Sequence, residues 1–356
     1  MQICEIRISE IKDGMIAAKD VYTDTNELVI TVNTVLNSKI VQRLKQYGIY
    51  RISVFKEEKK EHVHETSREE KIKKSMEFAQ FKRSFDNTVI GLRGTFSRIL
   101  ENSDTDGVAQ LTEQVDKIMQ KSDGSYSVFD MLNCMREYDD VTFAHSISVS
   151  ILCNLIAGWL KLPESDIYIL TMSGMLHDIG KLQIPNEIIS KPGKLTANEF
   201  QIVQQHPKLG YRILSKLDLS EHVKYAALMH HERCDGKGYP MQIGENKIDY
   251  FSKIVMLADV YDAMTADRSY RKGMCPFDAL DIMLEDGFEK YDPGLLMLFA
   301  EKTMQSYIFA KVLLSDGSEG EIVALNRSAW TRPLVLVKDE FIDLSKDKSR
   351  KIAKIV

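Results

Sequence analysis

TMSGMLHDIGKLQIP, residues 171–185, reads as an apolar helical run that ends in an adjacent histidine and aspartate, His177 and Asp178. Gly180 marks the end of the run, and Pro185 stops it firmly because proline cannot continue a helix. The flanking sequence repeats this arrangement. HSISVSILCNLIAGWL carries an apolar helical face that starts at His145, and TANEFQIVQQHPKLGYRIL opens on Thr196 and Glu199 at capping-box spacing and holds His206. Pro207 should kink or interrupt that second helix. SEHVKYAALMHHE starts from Ser220 as N-cap and ends in the pair His230 and His231, and KIVMLADVYDAM sets Asp259 among apolar residues.

These stations recur roughly every thirty residues, about one helix and one connection each. Each therefore sits on its own helix of a bundle, and bundles assemble metal sites from inward-facing side chains. A lone buried histidine is ordinarily a satisfied core residue. Here five imidazoles recur with acids beside them, and Asp259 lies where an unpaired carboxylate would suffer heavy desolvation, so the set reads as ligands to cations. Imidazole and carboxylate without thiolate suit iron, manganese or another first-row divalent ion better than structural zinc. A carboxylate such as Asp178 can bridge two cations, and a pair of cations clamps the attacking and leaving oxygens of phosphodiester hydrolysis, with a bridging hydroxide as nucleophile. Lys181, three residues after Asp178, shares its side of a helical turn and can meet a phosphate oxygen, as can Arg268 and Arg271 in DRSYRKG.

Composition narrows the alternatives. The 356 residues are 44% hydrophobic, enough to bury a large core, and the net charge of −5 lacks the basic field of duplex nucleic-acid binders. Five scattered cysteines with no CxxC spacing indicate reduced, cytosolic thiols. No secretory signal or membrane span is read in the chain; the apolar stretch from Ile147 to Leu162 is broken by polar residues. Residues 1–55 mix short β-branched runs with one helical run ending at Gly48, a small α+β module. Residues 56–125 hold a charged linker, in which His62 and His64 are solvated, and lead-in helices, with Ser67 and Glu70 at capping-box spacing. Helical patterns fill 126–310, and 311–356 read as β-hairpin material in a short C-terminal extension. The expected fold is mainly α, an all-helical bundle with these two small additions.

HHERCDGKGYP, residues 230–240, combined with HDIGK at 177–181, resembles the HD-GYP family, a branch of the HD metal-dependent phosphohydrolases. The resemblance covers about Tyr126 to Ala310, and the order of His145, His206 and Asp259 agrees with it. It implies an HD-type catalytic bundle with two or three iron or manganese ions, hydrolysing cyclic di-GMP to pGpG and in some members to GMP. It also implies phosphate contacts from Lys181, Arg268 and Arg271. Gly238, Tyr239 and Pro240 form the signature loop, a candidate contact for diguanylate cyclase domains; Gly236 and Gly238 let the loop fold tightly and Asp235 ties its side chain to the backbone. One position departs from the fuller pattern: Val141 stands where some relatives place a further carboxylate ligand. Two metals are therefore expected in preference to three, and His231 is the least secure of the ligands. Three other readings remain: a hydrolase of another cyclic dinucleotide or a guanine nucleotide such as ppGpp, an idle cyclic di-GMP receptor, or a scaffold whose N-terminal parts make a homodimer.

Overall fold

In a computed structural model of the chain, residues 3–12, 15–23, 28–32, 34, 36–55, 68–120, 127–135, 141–191, 193–267, 272–285 and 287–356 are described. They divide into two compact units, residues 1–66 and 67–356. In the first unit, strand β1 (Ile3–Arg7) leads through β2 (Val21–Tyr22), β3 (Leu28–Ile30) and helix α1 (Ser38–Gln46) to β4 (Arg51–Phe55). β1 pairs antiparallel with β4, and β2 with β3. Asn37 caps α1 by accepting from the Ile40 N–H, and Gly48, at φ +69°, takes the left-handed turn that ends it. Leu36, Leu44, Ile52 and Val54 form the small core. Within ELVITVNTVL, strand is confined among the described residues to Leu28–Ile30, because Thr34 turns the chain back by donating to the Thr31 carbonyl.

The second unit opens with α2 (Arg68–Lys73), α3 (Met76–Asn102) and α4 (Asp106–Gln120). α3 starts where the Ser75 hydroxyl accepts from the Phe78 N–H, and it buries Phe78, Phe81, Phe85, Val89, Leu92 and Phe96 along one face. These residues share a cluster with Val115, Ile118, Ile147 and Ile151, so the lead-in helices belong to the same core as the helices that follow. α5 (Val128–Cys134) precedes α6 (Val141–Trp159), and α7 (Glu164–Leu176) packs against α6. Residues 142–159 of α6 are long and apolar enough to cross a bilayer. That window is 72% buried inside the protein, as befits a core helix apolar on every side.

A 3-10 turn (Ile179–Gln183) follows α7, then α8 (Asn186–Ile189), α9 (Ala197–Val203), α10 (His206–Leu214), α11 (Glu221–Met229) and α12 (Tyr250–Thr265). α13 (Pro276–Glu285), α14 (Gly287–Lys290) and α15 (Pro293–Gln305) complete the helices. Strands β5 (Lys311–Leu314), β6 (Glu319–Asn326), β7 (Ala329–Val337), β8 (Glu340–Asp343) and β9 (Ile352–Ile355) make one antiparallel sheet in the order β8-β7-β6-β5-β9. Val312, Ile322, Val335, Ile342 and Ile352 lie in one hydrophobic cluster with Leu257, Leu280, Phe299 and Tyr307. The architecture is the expected one, mainly helical with small β-containing parts at either end, but the terminal sheet covers the helical core and is no loose appendage.

Candidate metal centre

Five segments carry the titratable residues inward. His145 lies in the second turn of α6, and Asp259 in the middle of α12. The other three stations are helix ends. α7 stops at Leu176, four residues before Gly180, so His177 is its C-cap and Asp178 opens the 3-10 turn. Gly180 explains the early end: a Cβ there would overlap the His206 carbonyl oxygen, so the turn is pressed against α10 in a way only glycine permits. Pro207 interrupts the helical pattern as expected, and α10 begins afresh at His206 with the proline in its first turn. Ser220 caps α11, and His230 is that helix's C-cap.

The side chains converge. His145, His177, Asp178, His206, His230 and Asp259 are all buried, and His231 retains 24% side-chain exposure. Their donor atoms fall into two groups within 4.8 Å: Asp178, His206, His230 and His231 in one, and His145, His177 and Asp259 in the other. The Asp178 carboxylate lies between them. Its Oδ2 is 3.2 Å from His177 Nε2 and 3.7 Å from His145 Nε2, while its Oδ1 is 3.3 Å from His206 Nε2 and 3.7 Å from His230 Nε2.

The rings are oriented from behind. His177, His206 and His230 place Nδ1 against the carbonyls of Gly174, Val203 and Ala226 at 2.7, 2.7 and 2.9 Å. A carbonyl only accepts, so Nδ1 carries the proton and the Nε2 lone pair faces the centre. Among the described residues, His177 Nε2 and Asp178 Oδ1 are buried and find no hydrogen-bond partner. Buried polar atoms rarely go unanswered, and aligned lone pairs without protons are what a cation requires, so the residues fit a metal ion.

Electrostatics agree. Burial opposes the charge on Asp178, yet His177 and the Lys181 ammonium hold its carboxyl well below the usual carboxylate range. Burial pushes His230 down to about 4, which leaves it neutral at pH 7 as a ligand must be. His145 differs: burial is outweighed by hydrogen bonds to Asp259 (2.9 Å) and Asp262 (2.6 Å), which raise its pKa to about 9, so it must give up a proton to ligate.

The segment after the histidine pair folds back on itself. Tyr239 stacks on His231 with ring centroids 4.6 Å apart and donates its N–H to the His231 carbonyl. Asp235 accepts from the Lys237 N–H at 3.0 Å and from both Nε and Nη2 of Arg233, the side-chain to backbone tie expected of it. Glu232 is fully buried and accepts the N–H groups of Met241 (2.6 Å) and Ile243 (3.2 Å), closing the loop around Gly236, Gly238 and Pro240. A side chain at Gly238 would run into the Glu232 backbone.

Residues 128–295 match the family model for the HD domain. Over 204 residues the chain is 35% identical to a cyclic di-GMP phosphodiesterase of Pseudomonas aeruginosa, covering 57% of this chain and 49% of that protein. A cyclic di-GMP phosphodiesterase of Thermotoga maritima is 34% identical over 197 residues, covering 54% of this chain and 50% of the relative. A 3'3'-cGAMP-specific phosphodiesterase of Vibrio cholerae is 39% identical over 152 residues, covering 43% and 33%. The chain thus spans about half or less of the length of these curated relatives. Among solved structures, a HDG"Y"P protein from Bdellovibrio bacteriovorus shares the fold, with a TM-score of 0.50 at 14% identity, over 84% of this chain and 98% of that one.

Both donor groups lie within the matched segment, and the buried cluster has the donors to hold metal. Lys181 lies beside the centre, with Nζ 2.5 Å from Asp178 Oδ2 and 24% side-chain exposure. Arg268, Arg271, His62, His64, Ser67, Asp139, Asp140 and the side chain of Val141 lie outside the described residues. His222 is half-exposed on the surface as expected, bonded to Asp249 at 2.7 Å. Two residues of the matched segment escaped the sequence reading. Asp262, three residues after Asp259 and so on the same face of α12, holds His145 from behind; that spacing was the available signal. Glu232 stands within the quoted motif, but an acid in a turn reads as solvated, and nothing local marks it as buried.

Proposed function

We propose that this protein is a metal-dependent phosphodiesterase that opens cyclic di-GMP to pGpG, with GMP as a further product, and that it works in the cytoplasm, where its free thiols stay reduced. The observation that carries the reading is the position of Asp178, whose two oxygens face separate donor groups. Under this reading His145, His177, Asp178 and Asp259 would hold one divalent ion, and Asp178, His206, His230 and His231 the other, iron or manganese by donor type. Such a pair would supply a water activated near neutral pH and a Lewis acid for the phosphate.

The chain's own residues do the rest. The backbone carbonyls behind His177, His206 and His230 fix the tautomers, and Asp262 fixes His145. Lys181 swings its ammonium from Asp178 to a non-bridging phosphate oxygen as charge builds there. Tyr239 and the loop tied by Glu232 wall the exposed side of His231. The similarity to a 3'3'-cGAMP-specific phosphodiesterase supports a second reading, with the mixed cyclic dinucleotide as substrate.

Metal analysis of anaerobically purified protein, joined to chromatography of products from both cyclic dinucleotides on the same sample, tests the proposal. Loaded wild type is expected to linearise at least one of them, and Asp178→Ala to lose both metal and turnover while keeping its helical circular dichroism. Full turnover by Asp178→Ala, or a fully loaded wild type that leaves both substrates intact, refutes it.

A further inference from the structure

Phe200 has no part in the chemistry above, yet its setting is a built one. It lies in α9, whose first turn is clasped twice. The neighbouring Glu199 takes the Lys191 ammonium on both carboxylate oxygens at 2.7 Å and the Thr196 N–H at 2.7 Å, while the Thr196 hydroxyl returns the cap. The clasp fixes the helix but does not bury the ring, which stays 47% exposed. From there a ladder of rings leads inward. Phe200 meets Tyr239 edge-on, with centroids 6.4 Å apart and planes at 75°, and Tyr239 lies nearly parallel to His231, a member of the second donor group. Two further exposed apolar side chains flank functional residues in sequence: Leu182 follows Lys181, and Met241 follows the loop.

A flat apolar surface held still beside a phosphate-directed centre suits a ligand that pairs a phosphate with an aromatic ring. In a nucleotide the base hangs one sugar away from the phosphorus, and Phe200 stands one ring beyond the innermost ring of the ladder. Every base presents a π-face, so aromatic stacking binds bases with little demand on hydrogen bonding.

Resting on the function proposed above, we propose that Phe200, with the outer edge of Tyr239, is the stacking platform for a purine base of the substrate, so that this corner selects nucleotides over simple phosphodiesters. Phe200 is a positioning residue in this scheme, and it contributes binding equally to ground and transition states.

The test uses the metal-loaded full chain and two variants, Phe200→Ala and Phe200→Trp. For cyclic di-GMP, or 3'3'-cGAMP if that is the better substrate, Phe200→Ala is expected to raise KM on the order of 10-fold with kcat little changed, the pattern of lost uniform binding. Phe200→Trp restores KM. Ethylene phosphate, a strained cyclic diester with no aromatic ring, tells stacking from general damage: a loss on it as large as the loss on the dinucleotide overturns the proposal, as does an unchanged KM for the dinucleotide. A binding measurement separates this inference from the catalytic reading. A cyclic dinucleotide carrying 2-aminopurine should lose fluorescence on binding wild type and regain it with Phe200→Ala, whether or not turnover occurs. Equal quenching by both proteins, or none by wild type, overturns the platform. Quenching without turnover in wild type sinks the phosphodiesterase reading and leaves the platform standing.

Discussion

Replacing Asp262 with asparagine or alanine should weaken metal binding although the residue touches no metal. Asp262 Oδ2 lies 2.6 Å from His145 Nδ1, and its side chain is only 12% exposed. The bond has two effects. It aims Nε2 at the centre, and its charge makes the imidazole a stronger base, which raises the His145 pKa to about 9 together with Asp259. Outer partners of this kind are worth about 10- to 100-fold in metal affinity, or roughly 1.4–2.7 kcal/mol. Asparagine keeps an acceptor oxygen and loses only the charge, so its effect belongs near the lower end. Alanine loses both and belongs near the upper end. Titration of demetallated protein with Mn2+ by calorimetry gives the affinity, and running it at pH 7 in buffers of different ionisation enthalpy gives the protons released. Wild type should release the His145 proton on loading, because a group with a pKa near 9 carries its proton at pH 7. The variants should release less. Unchanged affinity in Asp262→Ala with an intact circular dichroism spectrum would refute the reasoning.

Three further outcomes are expected. Glu232→Gln replaces one of two oxygens that accept backbone N–H groups with a donor, so stability should fall by about 1.5–3 kcal/mol, read by urea denaturation, with exchange protection lost first at Met241 and Ile243. Gly180→Ala forces a methyl against the His206 carbonyl, and the overpacking should cost at least about 1–3 kcal/mol and lower metal occupancy, while an unchanged melting temperature would contradict the close contact. The Lys191–Glu199 clasp has a signed pH dependence. Lys191 and the Thr196 N–H lower the Glu199 pKa to about 2, so its support of α9 is complete above the ordinary carboxylate value of about 4.5 and fades as pH falls towards 2. The protection factor of the Phe200 amide, taken relative to its intrinsic exchange rate at each pH, should fall over that window in wild type and stay constant in Glu199→Gln.

Much of the centre was legible because apolar periodicity and caps are local signals. Pro207 and Ser220 mark the helices that carry His206 and His230, and Thr196 starts the short helix before them. What stayed hidden depended on contacts between distant segments. α7 ends at Leu176 because the turn after it is pressed against α10, which the pattern 171–185 does not record. Glu232 is buried because N–H groups nine and eleven residues later need acceptors. The hairpin character of the C-terminal strands was readable from Asp316 and Gly317. The return of β9 to pair with β5, and the packing of the sheet on α13 and α15, was not.

That sheet has a practical consequence. A homology-guided truncation after Ala310 would keep every candidate ligand named above and still strip the cover from Phe299 and Tyr307, both fully buried in the intact chain. Such a fragment should come out of expression as inclusion bodies, and its silence in an assay would report greasy helices sticking to one another and say nothing of the reaction.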